Sequence, residues 1–290
     1  MKKIKYLIEF FFIIIFFLIF KLLGYKIASI FGSFLLSILG PLFRSKKIIK
    51  NNIQISLDLS DENEISKIIN NMWSNYGKIL SDYIFIKNFR SGKLQKYLDI
   101  EGYEILEKIE RNKKPVIFVS GHFNNFELMA MQIEKAGIKT AAIYRPLNNF
   151  FLNPLMEYLR MKYICPTQIP KGRAGMREII NRIKAGYSVA LMMDQRVSEG
   201  QKVSFFNRPA FTTTIPAQLA LKYDCELVPI FLERKENISF EMTIHEPYKI
   251  EKTGNDNEDT TNIILKINQI IEKMILKNPK QWIWSHNRWK

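Results

Sequence analysis

The chain has 290 residues, enough for one catalytic domain of ordinary size plus an appendage. A hydrophobic content of 47% supplies a sizeable core and excludes general disorder, while two cysteines without metal-ligand spacing exclude a disulfide framework and suit a reducing compartment. The net charge of +15 suits anionic lipid, an acidic carrier or nucleic acid, but lysine, isoleucine and asparagine crowd the whole chain, as in residues 46–52, so charge alone selects no partner.

Lys2, Lys3 and Lys5 precede an apolar run from Phe10 to Phe20, which Glu9 and Lys21 extend to roughly the eighteen residues a bilayer needs. A second apolar stretch, Ile27 to Phe43, follows Gly24. No small-x-small cleavage site comes after the run, so a retained membrane helix is expected rather than a cleaved signal peptide. Lysines on both sides leave its orientation open, as they leave open whether it spans or lies in the interface. Residues 1–45 are expected to form the membrane anchor and 46–290 the catalytic domain. The basic stretch Arg44–Lys50 would seat that domain on anionic lipid, on the cytoplasmic side.

Asp61 and Glu64 read as a capping box opening an amphipathic helix to about Ile86. From there strands and helices alternate. Strands are predicted at Pro115–Ser120, Lys139–Tyr144, Ser188–Met193, Glu226–Glu233 and Ser239–His245. Helices are predicted at Asn125–Ala136, Asn149–Lys162, Gly175–Ala185, Thr214–Tyr223 and Thr260–Lys277. This order implies an α/β fold, a largely parallel central sheet flanked by helices, with its chemistry in loops at the carboxyl ends of the strands.

His122 falls in the first such loop, within Ser120-Gly121-His122-Phe123-Asn124-Asn125-Phe126-Glu127, and Glu127 falls about one turn into the following helix. That spacing would let the carboxylate fold back onto one imidazole nitrogen while the other faces the cleft, a pair suited to general-base catalysis. Gly121 would let the backbone pass close to substrate, and amides near Asn124 and Asn125 would hold an oxyanion. Tyr144-Arg145-Pro146, Lys171-Gly172-Arg173 and Asp194-Gln195-Arg196 each fall at a strand or helix end, so all could converge on one cleft. Arg145 and Arg173 suit phosphate or an anionic headgroup. No metal site is expected. His245 and His286 read as packing residues.

The ordered blocks GHFNNFE, YRPLNN, MMDQR, VSFFNRPAFTT and LVPIFLER, with the ending Pro279-x-Gln281-Trp282-x-Trp284-x-His286-x-Arg288-Trp289, resemble the late acyltransferases of lipid A biosynthesis, within the lysophospholipid acyltransferase superfamily. The resemblance covers roughly residues 5–290. It implies a glycerolipid acyltransferase-like fold, with transfer of a fatty acyl chain from acyl carrier protein, or from acyl coenzyme A, to a hydroxyl of a lipid A precursor at the inner membrane. No cofactor is implied. His122 would be the base and Glu127 its partner in the H-x-x-x-x-(D/E) motif. Arg145 would meet acceptor or donor, and Asp194 and Gln195 would be structural or position substrate. Asn207 replaces a common glycine, and asparagine tolerates the left-handed backbone such a turn needs. The aromatic ending could touch the membrane interface.

Three alternatives stay open. Another lipid acceptor, such as a lysophospholipid or glycolipid, would use the same chemistry. A lipid hydrolase lacks its G-x-S-x-G elbow and its H-E-x-x-H motif. A nucleic-acid-binding module lacks any recognisable binding motif, so no nucleic-acid partner is expected.

Overall fold

The structure is a computed structural model that describes residues 2–236 and 238–290. Its long first helix, α1 (Lys2–Leu39), is broken by a non-helical Gly24 at φ 74°. α2 (Lys46–Leu57) and α3 (Glu62–Asp82) follow, the latter capped by Asp61, whose carboxylate accepts from Asn63 N at 2.8 Å. α1 and α3 cross where Gly32 meets Gly77, and a methyl group on either would overlap the carbonyl of the other. The short α4 (Ile86–Arg90) leads into β1 (Leu98–Glu101) and α5 (Tyr103–Asn112).

Strand–helix alternation then proceeds. The elements are β2 (Ile117–Ser120), α6 (Glu127–Lys135), β3 (Thr140–Tyr144), α7 (Asn153–Tyr163), β4 (Thr167–Pro170), α8 (Arg173–Lys184) and β5 (Ser188–Met192). A hairpin of β6 (Gln201–Phe205) and β7 (Arg208–Thr212), α9 (Ile215–Tyr223), β8 (Leu227–Arg234), β9 (Phe240–Ile244) and α10 (Asp256–Lys277) complete the order. Seven strands form one sheet in the order β1-β9-β8-β2-β5-β3-β4, parallel throughout except for the β8–β9 pair. The largely parallel α/β architecture read from the sequence is therefore present, with an apolar N-terminal helix long enough to cross a membrane.

Central strands covered on both faces must be apolar throughout. β2 and β8 are buried along their whole lengths. Ile117 and Val119 of β2 face one core layer, shared with α3, α8, α9 and α10. Phe118 faces the other, shared with α1, α4, α5 and α6. The turn between β6 and β7 holds Phe206 and Asn207 at φ 52° and 56°, both left-handed, as a type I′ hairpin turn requires. Asn207 thus does the work expected of a glycine there.

Four strands escaped the sequence pattern. β1 and β4 are four-residue edge strands with polar positions, and β6–β7 is a separate two-stranded ribbon. α6 also starts two residues later than predicted, because Asn124 turns left-handed at φ 47° and delays helix entry.

Candidate active site

Strand register brings the chemistry together. β2 and β5 are parallel neighbours with Ser120 opposite Met192, and Met193 N continues the ladder to Ser120 O at 2.8 Å. His122 and Asp194 each lie two residues beyond that pair, so the loops deliver them to the same point. On the other side of β5, β3 and β4 pair Tyr144 with Pro170, and Lys171 N donates to Tyr144 O at 2.8 Å. Arg145 and Lys171 therefore leave the sheet side by side.

The imidazole is held by Asp194, not by Glu127. His122 Nδ1 lies 2.7 Å from Asp194 Oδ1, and the other carboxylate oxygen accepts from His122 N at 2.8 Å and from Trp282 Nε1 at 2.8 Å. With an acceptor on Nδ1, the neutral ring takes the Nδ1–H tautomer, in which Nε2 carries the lone pair. Nε2 faces Gln195 Nε2 at 3.5 Å, and Phe126 packs edge-on against the ring at 4.9 Å. Burial alone would push the Asp194 carboxyl up, but the charge of His122 and its two hydrogen bonds, with that of Trp282, outweigh it and lower the pKa to about 2. Burial pulls His122 down, yet the charge and hydrogen bond of Asp194, with a further contribution from Glu127, leave it above its ordinary value.

Glu127 was expected to fold back onto the ring. Because α6 begins at this residue, its side chain leaves one turn earlier than predicted and turns to other partners. Its carboxylate accepts from Arg160 Nε at 2.7 Å and from the Tyr83 hydroxyl, all three groups being buried or half-buried. It acts on His122 through its charge rather than through a hydrogen bond. Burial and the Glu127 charge hold the Tyr83 phenol well above its usual range.

Gly121 also works differently from the expectation. A Cβ there would come within 2.8 Å of the Phe123 ring and 3.3 Å of Asp194 Cγ, so its bareness makes room for the acid behind the histidine. The Asn124 side chain is structural, with its Nδ2 donating to Leu232 O at 2.8 Å and to Gln281 Oε1 at 2.5 Å.

A cleft of about 810 Å³ lies beside this pair. Arg44, Arg145, Lys171, Arg196 and Lys290 line it, with Glu199 the one acid, and Gln195 links it to His122. Arg173, expected among them, is exposed in the first turn of α8 and does not line the cleft. Asp194 lies beneath it, buried, as an acceptor for His122 and Trp282.

The C-terminal segment supplies the support. Gln281 brackets Arg234, accepting from its N–H and donating to its carbonyl at 2.8 and 2.7 Å. His286 Nε2 accepts from Arg196 N at 2.9 Å and so fixes the loop after Asp194. Trp282 and Trp284 are fully buried, which overturns the expectation that this ending touches the membrane interface. His245 is exposed just past β9 instead of packed. Ser120 is buried and donates to Ile230 O at 2.6 Å, which leaves it no histidine to activate it. Among the described residues, no three His, Cys, Asp or Glu side chains are grouped to hold a metal.

Sequence reasoning missed Arg160, Tyr83 and the role of Trp282. Arg160 sits on a helix face that periodicity marks as core, and an arginine there signals a buried acid partner without naming it.

A largely parallel α/β sandwich that holds a histidine–aspartate pair at its strand ends, next to a basic cleft and with an apolar N-terminal helix, is the architecture of an enzyme suited to a membrane lipid. Its lineage is more specific. The chain belongs to the bacterial lipid A biosynthesis acyltransferase family, whose sequence pattern matches residues 1–290, and it is an O-acyltransferase. It is 25% identical over 253 residues to the lipid A biosynthesis palmitoleoyltransferase of Escherichia coli strain K12, covering 85% of this chain and 79% of that one. It is 24% identical over 252 residues to the lauroyltransferase of the same organism, with coverage of 85% and 79%. A lipid A biosynthesis acyltransferase of Haemophilus influenzae is 24% identical over 257 residues, with coverage of 85% and 78%.

Proposed function

We propose that this enzyme transfers a fatty acyl chain from an acyl-carrier-protein thioester to a hydroxyl of a phosphorylated lipid A precursor, with His122 as general base. The reading rests on one observation: the buried Asp194 carboxylate occupies His122 Nδ1, while Nε2 turns toward Gln195, which lines a cationic cleft. Nε2 takes the proton of the acceptor hydroxyl as its oxygen attacks the thioester carbonyl. The C–S bond breaks, and the proton held on Nε2 passes to the departing thiolate, giving an ester and a free thiol. Asp194 stabilises the imidazolium between those steps, and the Glu127 charge adds to it from further away.

Arg145, Lys171 and Arg196 suit the phosphates of the acceptor or the phosphopantetheine arm of the donor. α1 holds the domain at the inner membrane, with the cleft on the cytoplasmic side where acyl carrier protein is found. The test is direct. Purified enzyme is given acyl carrier protein or coenzyme A thioesters, and either a phosphorylated lipid A precursor or a lysophospholipid, and products are weighed by mass spectrometry. Gain of one acyl chain on the lipid A precursor, lost in His122→Ala, supports the reading. Acylation of the lysophospholipid alone would move the acceptor to another lipid class.

A further inference from the structure

The catalytic body grips α1 near its start and again around Gly24. Near its start, Tyr6 meets Phe150 edge-on at 5.9 Å, Phe10 meets Phe151 at 6.3 Å, and Asn149 Nδ2 donates to Tyr6 O at 2.9 Å. Just past Gly24 the Tyr25 hydroxyl donates to Ile238 O at 2.9 Å, and just before it Phe20 is fully buried. At 1.5 Å per residue, the helix covers roughly 26 Å between Tyr6 and Leu23, ahead of the break at Gly24, close to the thickness of a hydrocarbon core. A helix crossing the bilayer would carry Tyr6 to the opposite side from Tyr25. The body bonded to both would have to cross with it, exposed polar groups such as Arg145 and Asn148 included.

The exposed side of α1 carries a broad apolar stripe that runs from Ile4 and Leu7 through Phe11 and Phe12 to Leu18 and Leu22. The body extends that stripe. Leu147 and Phe150, in the loop after β3, stay exposed although they adjoin α1, and Tyr158 and Met161 project from α7 on the face opposite the buried Arg160. Phe150, Tyr158 and Met161 are 48, 52 and 54% exposed, an unusual cost in water for so many large apolar groups beside one helix.

We propose that α1 lies along the membrane surface with this stripe in the acyl region, and that Leu147, Phe150, Tyr158 and Met161 enter the same leaflet as a second membrane contact. The occupant of the surface is lipid, because the patch is continuous with the apolar helix through the Tyr6–Phe150 and Phe10–Phe151 contacts. Arg145 lies just before Leu147 in the chain, so the cationic rim of the cleft comes to headgroup level, where an acceptor's phosphates reside. The inference rests on the reading of α1 as a membrane helix.

The test uses the full chain in vesicles. Phe12→Cys, Leu22→Cys, Phe150→Cys, Met161→Cys and Lys184→Cys variants carry an environment-sensitive fluorophore, and quenching is compared for lipids bearing a nitroxide near the headgroup or near the chain end. Burial pushes the native Cys165 and Cys225 thiols up to about 11 and keeps them from labelling. Lys184, exposed at the far end of α8, is the unquenched control. The expected result is about a two-fold loss of fluorescence at Phe12, Leu22, Phe150 and Met161 with the shallow nitroxide, and less with the deep one. Strongest quenching of Phe12 by the deep nitroxide, with Phe150 and Met161 no more quenched than Lys184, would overturn the inference and leave a spanning helix. Absence of quenching at Phe12 and Leu22 would overturn the membrane reading as well. Shielding of Phe150 from aqueous iodide without lipid quenching would assign the patch to a second copy of the chain and likewise overturn it.

Discussion

Replacing Asp194 with asparagine separates the two jobs of this acid without changing its size. Asp194 Oδ2 accepts from two donors, His122 N and Trp282 Nε1, and Oδ1 faces His122 Nδ1. An amide has only one oxygen. Turning its NH2 toward the Oδ2 position opposes two buried donors at a cost of about 1–3 kcal/mol each. Turning it toward Nδ1 keeps every hydrogen bond, provided the ring proton moves to Nε2. The second arrangement wins, and it puts a proton on the nitrogen that must accept one. Asp194→Asn should therefore fold with a small loss in Tm while kcat falls about 10³- to 10⁴-fold, or roughly 4–5.5 kcal/mol in the barrier. The assay is steady-state acyl transfer across pH 5–9 beside a thermal melt. In the unaltered enzyme the rate should rise with pH through an apparent pKa above the ordinary histidine value, because Asp194 holds His122 there. A variant within ten-fold of the parent, with its limb unmoved, would refute the argument.

Three further outcomes follow from the same geometry. Glu127→Gln leaves the Arg160 guanidinium buried without an anion, so stability should fall by about 3–5 kcal/mol in chemical denaturation, and Glu127→Leu with Arg160→Met should recover most of it. Arg145→Ala with Lys171→Ala should raise KM for a phosphorylated acceptor about ten-fold at low salt, converging on the parent as salt rises, with kcat little changed. The folded Asp194 carboxyl is depressed to about 2, so its contribution, about 2 kcal/mol, is present above pH 4 and is lost as pH falls toward 2. Acid unfolding of Asp194→Asn should accordingly be shallower across that window.

The strands that hold the site were legible because each is an apolar run ending in a loop, and the register of β2 with β5 then follows from the fold. The loops were legible as addresses, which is why Arg145, Lys171 and Gln195 do share a cleft. Pairing within the site was not. A four-residue gap between His122 and Glu127 suggests contact only if the helix starts before Asn125, and the left-handed Asn124 delays it. The partner that does touch the ring, Asp194, is 72 residues away in the chain, and no local period encodes that distance. Edge strands β1 and β4 were invisible for a related reason, since with one neighbour each they need little apolar patterning.

Two acids beside one histidine divide the labour by distance. Asp194 touches the ring, so it sets the tautomer as well as the charge, and desolvation of both groups makes that contact strong. Glu127 reaches His122 only by its field, and Arg160, whose smaller effect lowers the histidine, offsets part of it. The Glu127–Arg160 pair thus still raises the histidine on balance, and it also has a mechanical effect. It ties the start of α6, the residue after Phe126, to α7 through one buried ion pair, and to the end of α3 through Tyr83. Phe126 packs on the imidazole, so the orientation of the ring depends on that tie. The same α7 that grips Glu127 from its buried face presents Tyr158 and Met161 on its outer face. With α7 seated on lipid as proposed, the docking of the domain would be coupled through Arg160 and Glu127 to the orientation of the His122 ring.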